Sequence, residues 1–262
     1  MMRFLRNVYA TLTFLGVDPL RFLQNMRGLG WFWRDYRAFT KLAGPDPLFP
    51  IQSFYPMLHD KQESSGSAKG HYFHQDLLVA QRVFANAPAT HVDVGSRIDG
   101  FIAHVAAFRL VEVFDIRPLT NQIHNVTFTQ ANLMQVDDQL VNYTDSLSCL
   151  HTIEHFGLGR YGDPIDPQGY LKGLQNLGRV LRSGGIFYFS TPIGPQRIEF
   201  NAHRVFSVGY LLDLFRTDYD VLHFSYVDDK GDLHRHVPLT HASIDAQFGC
   251  RYGCGIFELR KR

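Results

Sequence analysis

Histidines and acids cluster in the stretch from Leu150 to Asp166, directly after an apolar run. Histidine titrates near neutral pH and can take a proton from a reacting hydroxyl. The same side chains could instead ligate a metal ion or form a purely structural hydrogen-bonded cluster. We favour proton transfer, with His155 and His151 as candidate bases and Glu154 beside them, and we predict no metal site. The zincin order H-E-x-x-H is absent, which argues against a zinc hydrolase.

A second polar motif, Asp93-Val-Gly-Ser96, ends a short β-branched run. A glycine at such a turn lets the backbone approach a ligand, and the helix that follows offers free N–H groups. Asp115 ends the next apolar run, 20 residues after Gly95. This separation is typical of the glycine turn and the ribose-binding acid in nucleoside-binding units. Asp115 could also be a helix cap or a surface acid, but we favour a nucleoside site.

Further polar side chains around these motifs could orient the hydroxyl or phosphate groups of an acceptor. They are Arg160, Tyr161, Asp163, Asp166, His203, Arg204 and His74. His74 belongs to a polar helix face beside a loop rich in Ser and Gly. This face either closes over the site as a lid or simply meets solvent.

Short apolar runs alternate with amphipathic stretches through most of the chain. The spacing predicts strands near 91–95, 110–116, 126–130, 146–150, 186–190, 219–226 and 255–259, and helices near 72–86, 101–108, 169–181 and 208–215. This alternation is typical of a parallel sheet that is covered on both faces and binds ligands at the carboxyl ends of its strands. We predict an α/β, Rossmann-like three-layer sandwich over 71–262 with a mostly parallel seven-stranded sheet. Residues 1–70 are predicted to form an extension and lid of short helices broken by Gly and Pro.

Composition excludes several classes of protein. Of the 262 residues, 45% are hydrophobic and 19% are charged, which permits a sizeable core. Lys and Arg number 26 against 25 Asp and Glu, so no basic excess points to nucleic acid. Three cysteines do not make a disulfide framework. No run reaches the ~20 apolar residues that span a bilayer, and we expect a cytoplasmic protein.

The first 41 residues contain seven basic and two acidic side chains, with Phe, Leu and Trp between them. Such a stretch can lie on an anionic membrane surface, or it can be a helical appendage that packs on the domain. We favour packing and keep peripheral contact with the inner membrane face as the alternative.

Four motifs, in their order along the chain, resemble class I S-adenosylmethionine-dependent methyltransferases. They are Asp93-Val-Gly95, Asp115, the run before His155, and Arg179-Val-Leu-Arg-Ser-Gly-Gly185, of which the last is the most specific. The resemblance implies S-adenosylmethionine as the cofactor. It places Asp93, Gly95 and Ser96 at the methionine end, Asp115 at the ribose, Asn132 and Leu133 beside adenine, and Leu150 and His151 near the sulfonium. Arg97 and Asp99 replace the usual later glycines of the first motif.

A narrower likeness covers 70–76, 115–118, 154–166 and 200–204. These segments are similar to a family first catalogued as a nematode protein of unknown function, whose bacterial members tend to accompany surface-polysaccharide genes. Together the two resemblances imply O-methylation of a sugar or polysaccharide, with a small molecule or glycan as the acceptor. The alternatives are a non-catalytic module in glycan assembly and a metal-assisted enzyme on the same fold.

Overall fold

The computed structural model describes residues 9, 12–13, 15–45, 48–58, 61, 66–135 and 138–262. The chain divides into two compact units, Met1–Ser67 and Ala68–Arg262, whereas the sequence analysis set the boundary after residue 70. Within the described residues, no helix is long and apolar enough to cross a membrane.

The first unit contains one long helix, α1 (Pro19–Ala43), whose N-terminus is capped by the Asp18 carboxylate. The prediction of short helices broken by glycine is wrong for this segment. Gly28 lies inside the helix, and its missing side chain permits a close approach, since a Cβ there would lie 2.8 Å from the Cβ of Leu58. Of the predicted flexible loop, residues 62–65 lie outside the described part of the chain.

The second unit alternates strands and helices. Its strands are β1 (Val92–Val94), β2 (Val111–Asp115), β3 (Val126–Gln130), β4 (Thr144–Leu150), β5 (Leu181–Ile193), β6 (Arg197–Glu199), β7 (His203–Val205), β8 (Tyr219–Val227), β9 (Leu233–His234) and β10 (Gly253–Lys261). Its helices are α2 (His71–Asn86), α3 (Ala103–Ala106), α4 (Gly169–Val180), α5 (Val208–Phe215) and α6 (His241–Asp245), and short helical turns occur at Ile98–Ile102, Asp138–Leu140, Ile153–His155 and Gln247–Gly249.

The main sheet has the strand order β3-β2-β1-β4-β5-β10-β8-β9. Strands β1 to β5 run parallel to one another, and β10 is antiparallel to both of its neighbours, β5 and β8. The Rossmann-like α/β prediction is confirmed, but the predicted count of seven strands is wrong, since this sheet has eight. The additional strand, β9, pairs with β8 at only two positions, which is too short to leave a period-2 pattern in the sequence.

Apolar side chains alternate between the two faces of the sheet, as strand geometry requires. Phe187 and Phe189 of β5 belong to one core with α4 and α5. Tyr188, between them, belongs to the other core with α2. The sheet is therefore covered on both sides.

Candidate functional site

A crevice opens at the carboxyl ends of β1 to β4, where parallel sheets bind their ligands. It is lined by Tyr72, Val94, Gly95, Arg97, Phe114, Asp115, Ile116, Arg117, Ala131, Asn132, Leu133, Met134, Leu150, His151, Thr152, His155, Phe156, Tyr161 and Asp163. The glycine turn, the acid after β2 and the histidines after β4 therefore meet in one crevice, as the sequence analysis predicts.

The turn after β1 is held tightly against the loop after β4. Gly95 has φ +70°, and a Cβ there would lie 2.4 Å from Cγ2 of Thr152. Asp93 lies beneath this turn, fully buried, and accepts hydrogen bonds from Ser96 and from the Ser148 hydroxyl. Burial raises the pKa of Asp93 to about 7. Asp93 and Ser96 therefore build the turn and do not line the crevice.

Asp115 reaches the crevice with both carboxylate oxygens already paired. Arg117 donates to them from Nε at 3.1 Å and from Nη2 at 2.7 Å, in the bidentate geometry that arginine and carboxylates favour. The Arg117 guanidinium also lies 4.5 Å from the centre of the Tyr161 ring, and that of Arg160 lies 5.1 Å from it. A ligand that bonds to Asp115 would share its carboxylate with Arg117.

Arg97 lies at the edge of the crevice and does not fill it. Its guanidinium forms a bidentate pair with Asp99 at 2.8 and 3.1 Å and lies 5.0 Å from the centre of the Tyr72 ring. The side chain of Arg97 is half exposed. The two residues that replace the usual glycines are thus paired with each other.

Part of the crevice lining is apolar and suits a flat ring. Ile116, Leu133, Met134 and Phe156 line it, and the backbone of Leu133 is held by an Asn176 amide at 2.9 Å. Asn132 accepts from the Met134 N–H at 3.0 Å, which uses its side-chain oxygen to close this loop.

His151 and Glu154 form a buried pair directly after β4. Nδ1 of His151 lies 2.8 Å from Oε1 of Glu154, and both side chains are almost fully buried. Burial opposes the charged imidazolium, but Cys254 and Glu154 beside it raise the pKa of His151 well above its ordinary value. His151 has φ +51°, a conformation that non-glycine residues rarely adopt and that clusters at functional sites.

His155 lines the same crevice in a different state. Its Nδ1 lies 2.7 Å from the carbonyl oxygen of Ala202. A carbonyl can only accept, so Nδ1 carries the proton and Nε2 keeps its lone pair. Burial lowers the pKa of His155, which keeps the ring neutral. Nε2 of His155 can therefore take a proton, whereas the raised pKa of His151 favours a ring that is already protonated.

Other polar residues predicted to bind the acceptor hold the surrounding loop in place. Both oxygens of Asp163 accept from backbone N–H groups of its own loop. Asp166 accepts from the Gln168 N–H and from Lys172. Arg204 is buried and donates to the carbonyls of Glu154, Phe156 and Pro167.

The predicted site residues divide into two groups. Gly95, Asp115, Asn132, Leu133, Leu150, His151, His155, Tyr161 and Asp163 line the crevice, whereas Asp93, Ser96, Glu154, Arg160, Asp166, His203, Arg204 and His74 do not. Sequence analysis missed Tyr72 and Arg117 as crevice residues. Arg117 could have been found, because it stands two positions after the predicted ribose acid. The precise roles of both groups remain predictions.

The comparison with protein families gives one match. The model of the family described as "Caenorhabditis protein of unknown function, DUF268" matches residues 109–241, just over half of the chain. The chain belongs to this family. The DUF268 segment contains Asp115, His155 and Ala202, and it excludes the glycine turn after β1. No curated protein sequence matches the chain.

Solved structures with the same fold include several methyltransferases. The 1,6-didemethyltoxoflavin-N1-methyltransferase of Burkholderia thailandensis, which contains S-adenosylhomocysteine, has a TM-score of 0.52 and 18% identity over 71% of this chain and 78% of that one. The [4+2]-cyclase SpnF has a TM-score of 0.52 and 14% identity over 75% and 85% of the two chains. A protein provisionally named a sarcosine dimethylglycine methyltransferase, from Galdieria sulphuraria, has a TM-score of 0.50 and 14% identity over 72% and 84%. The second unit therefore has the class I methyltransferase fold.

Proposed function

We propose that this DUF268 protein is an S-adenosylmethionine-dependent methyltransferase that methylates a hydroxyl group of a sugar or polysaccharide. One observation carries the proposal: Asp115, Gly95 and His155, from three different strand ends, line a single crevice. The fold shared with a methyltransferase that holds S-adenosylhomocysteine supports the same cofactor. The resemblance to a family associated with surface-polysaccharide genes supports the acceptor class.

The residues of the crevice fit this cofactor. Asp115 could accept hydrogen bonds from ribose hydroxyls, and the apolar lining residues Ile116, Leu133 and Phe156 suit the adenine ring. Gly95, at the turn after β1, lines the same crevice and would border the methionine part. S-adenosylmethionine supplies a methyl group on a sulfonium, which is already activated for transfer to a nucleophile.

The chain must then deprotonate and position the acceptor. Nε2 of His155 would take the proton of the acceptor hydroxyl as the oxygen bonds to the methyl carbon and the carbon–sulfur bond breaks. Arg117 and Arg160, beside Tyr161, could orient other hydroxyl or phosphate groups of the acceptor. His151 is a weaker candidate for the base, because Cys254 and Glu154 raise its pKa and so favour the protonated ring, which cannot accept a proton.

The cofactor proposal is tested by calorimetry with S-adenosylhomocysteine. We expect Asp115→Ala to weaken binding about 10- to 100-fold, since a charged acceptor of hydrogen bonds is lost, with little change in thermal unfolding. Asp138→Ala is the matched control, because Asp138 is also an acid paired with an arginine but is far more exposed. The proposal fails if the wild-type protein gives no binding heat with S-adenosylmethionine or S-adenosylhomocysteine at high micromolar concentration.

The second candidate function is a non-catalytic module in glycan assembly. It is favoured by the Arg117–Asp115 pair, which occupies the carboxylate that a ribose would use. The same calorimetry separates the two candidates, because a module that has lost its cofactor gives no binding heat with either variant or wild type.

A further inference from the structure

We propose that His71, His151 and Cys254 form a binding site for Zn²⁺. These residues come from three elements: His71 begins α2, His151 follows β4, and Cys254 lies near the start of β10. One nitrogen of each histidine and the sulfur of Cys254 all lie within 4.8 Å of one another. The site shares His151 with the polar residues that follow β4, and its other two ligands come from α2 and β10.

The strongest observation is an unpartnered buried nitrogen. Nδ1 of His151 is bonded to Glu154, and its other nitrogen, Nε2, is buried without a hydrogen-bond partner. His151 is only 8% exposed. A buried polar atom without a partner costs about 1–3 kcal/mol, so such atoms are rare and call for an explanation. A metal ion bonded to Nε2 would provide one.

Glu154 has the place of an outer partner of a metal-binding histidine. Histidines that ligate metals usually donate their second ring N–H to a carboxylate or a carbonyl, which fixes the orientation of the ring. The Glu154 carboxylate is 1% exposed, so a positive ion next to His151 would also compensate its buried charge. The thiol of Cys254 is oriented by Gln75, whose Oε1 lies 3.7 Å from the sulfur.

The ligand set fits zinc. One thiolate and two imidazoles are borderline-soft donors, and zinc sites with three protein ligands keep a fourth position for water or a small ligand. Zinc bond lengths of roughly 2.0–2.3 Å place tetrahedral ligand atoms about 3.3–3.8 Å apart. The rings of His71 and His151 are stacked with their centres 5.2 Å apart, so one ring turns when the ion binds. His151 also lines the crevice, and the ion would border it.

Binding is tested by equilibrium dialysis of the full-length chain against Zn²⁺ after treatment with a chelator, with metal measured by mass spectrometry. We expect one zinc per chain in the wild type. His71→Ala and Cys254→Ser should lower the affinity by more than about 100-fold, and Glu154→Gln, which affects an outer partner, by about 10- to 100-fold. Cys250→Ser is the matched control, because Cys250 is also buried but belongs to the other core. No cofactor or acceptor is present, so the result is independent of the proposed methyl transfer.

Cobalt gives a second readout, an absorption band that reports directly whether Cys254 ligates the metal. A purely structural role of Cys254 would not produce this band. Co²⁺ bound to the wild type should show a thiolate-to-metal charge-transfer band, which Cys250→Ser keeps and Cys254→Ser loses. The proposal is overturned if the wild type binds no stoichiometric metal, or if metal binds equally well without Cys254. Should Cys254→Ser fail to fold, His71→Ala makes the same comparison by dialysis, because His71 is the first residue of its helix.

Discussion

At the scale of single residues, the two histidines after β4 differ because their partners differ. His151 faces a buried carboxylate that favours its charged form, whereas Nδ1 of His155 faces the carbonyl oxygen of Ala202. The sequence analysis placed His155 before His151 as the base, but no residue pattern in the sequence gives the physical reason for this order. The deciding partner, Ala202, lies 47 positions along the chain from His155, and an alanine carries no side-chain signal of its role.

The role of His155 is tested with His155→Ala. We expect binding of S-adenosylhomocysteine to be kept and the turnover number on a hydroxylated sugar acceptor to fall by about 10²- to 10⁴-fold, as when a general base is removed. Release of S-adenosylhomocysteine measures turnover across a panel of hexoses and nucleotide sugars. His124→Ala, at an exposed position, should behave like the wild type. Retained turnover in His155→Ala would move the base to His151.

The pH dependence of turnover follows from the same residue. A base acts in its unprotonated form, and burial lowers the pKa of His155 below its ordinary value of 6.5. The midpoint of the acid limb of the turnover number should therefore lie below pH 6.5. A midpoint above pH 6.5 would contradict this assignment of the base.

At the scale of elements, the sequence predicted the strands and helices that pack the sheet and missed those at its margins. The helix Val208–Phe215 has the predicted bounds, because its amphipathic period is unbroken and Ser207 caps it. The hairpin of β6 and β7 was missed, since its strands have three residues each. The contribution of Tyr72 was missed for another reason: helical periodicity does not say which strand ends a helix will face.

The close contact between the turn after β1 and the loop after β4 gives an element-scale prediction. Gly95→Ala adds a Cβ at φ +70°, 2.4 Å from Cγ2 of Thr152, and should lower the free energy of unfolding by about 2–4 kcal/mol. Thr152→Ser removes Cγ2 and should recover part of this loss in the double variant, while the strain from φ remains. Urea unfolding of the wild type, the two single variants and the double variant measures the coupling free energy between positions 95 and 152. Strictly additive losses would show that the two loops are not in contact.

At the scale of the whole molecule, the exposed apolar surface of α1 supports the membrane alternative of the sequence analysis. Among the residues described for α1, only Gly28 is buried, and Leu20, Phe22, Leu23 and Met26 are each more than half exposed. Basic residues on the same helix could meet anionic headgroups. Peripheral contact with a membrane remains a prediction.

This contact is tested by sedimentation with lipid vesicles. We expect the protein to sediment with vesicles that contain phosphatidylserine and to stay in the supernatant when the vesicles are neutral. The triple variant Arg27→Glu, Arg34→Glu and Arg37→Glu should bind at least about 100-fold more weakly, because each basic residue near the surface contributes about 1 kcal/mol. Arg216→Glu, an exposed position in the second unit, is the control. Equal binding of wild type and triple variant would leave α1 without a role at membranes.

The carbonyl of Ala202 accepts hydrogen bonds from both His155 and Arg160. Since the hydrogen-bond acceptor is a main-chain oxygen, a change of side chain in the turn between β6 and β7 need not disturb the imidazole of His155. An inserted or deleted residue, in contrast, would displace the oxygen and release the ring to its other tautomer. Within this lineage, the length of the turn should therefore stay constant.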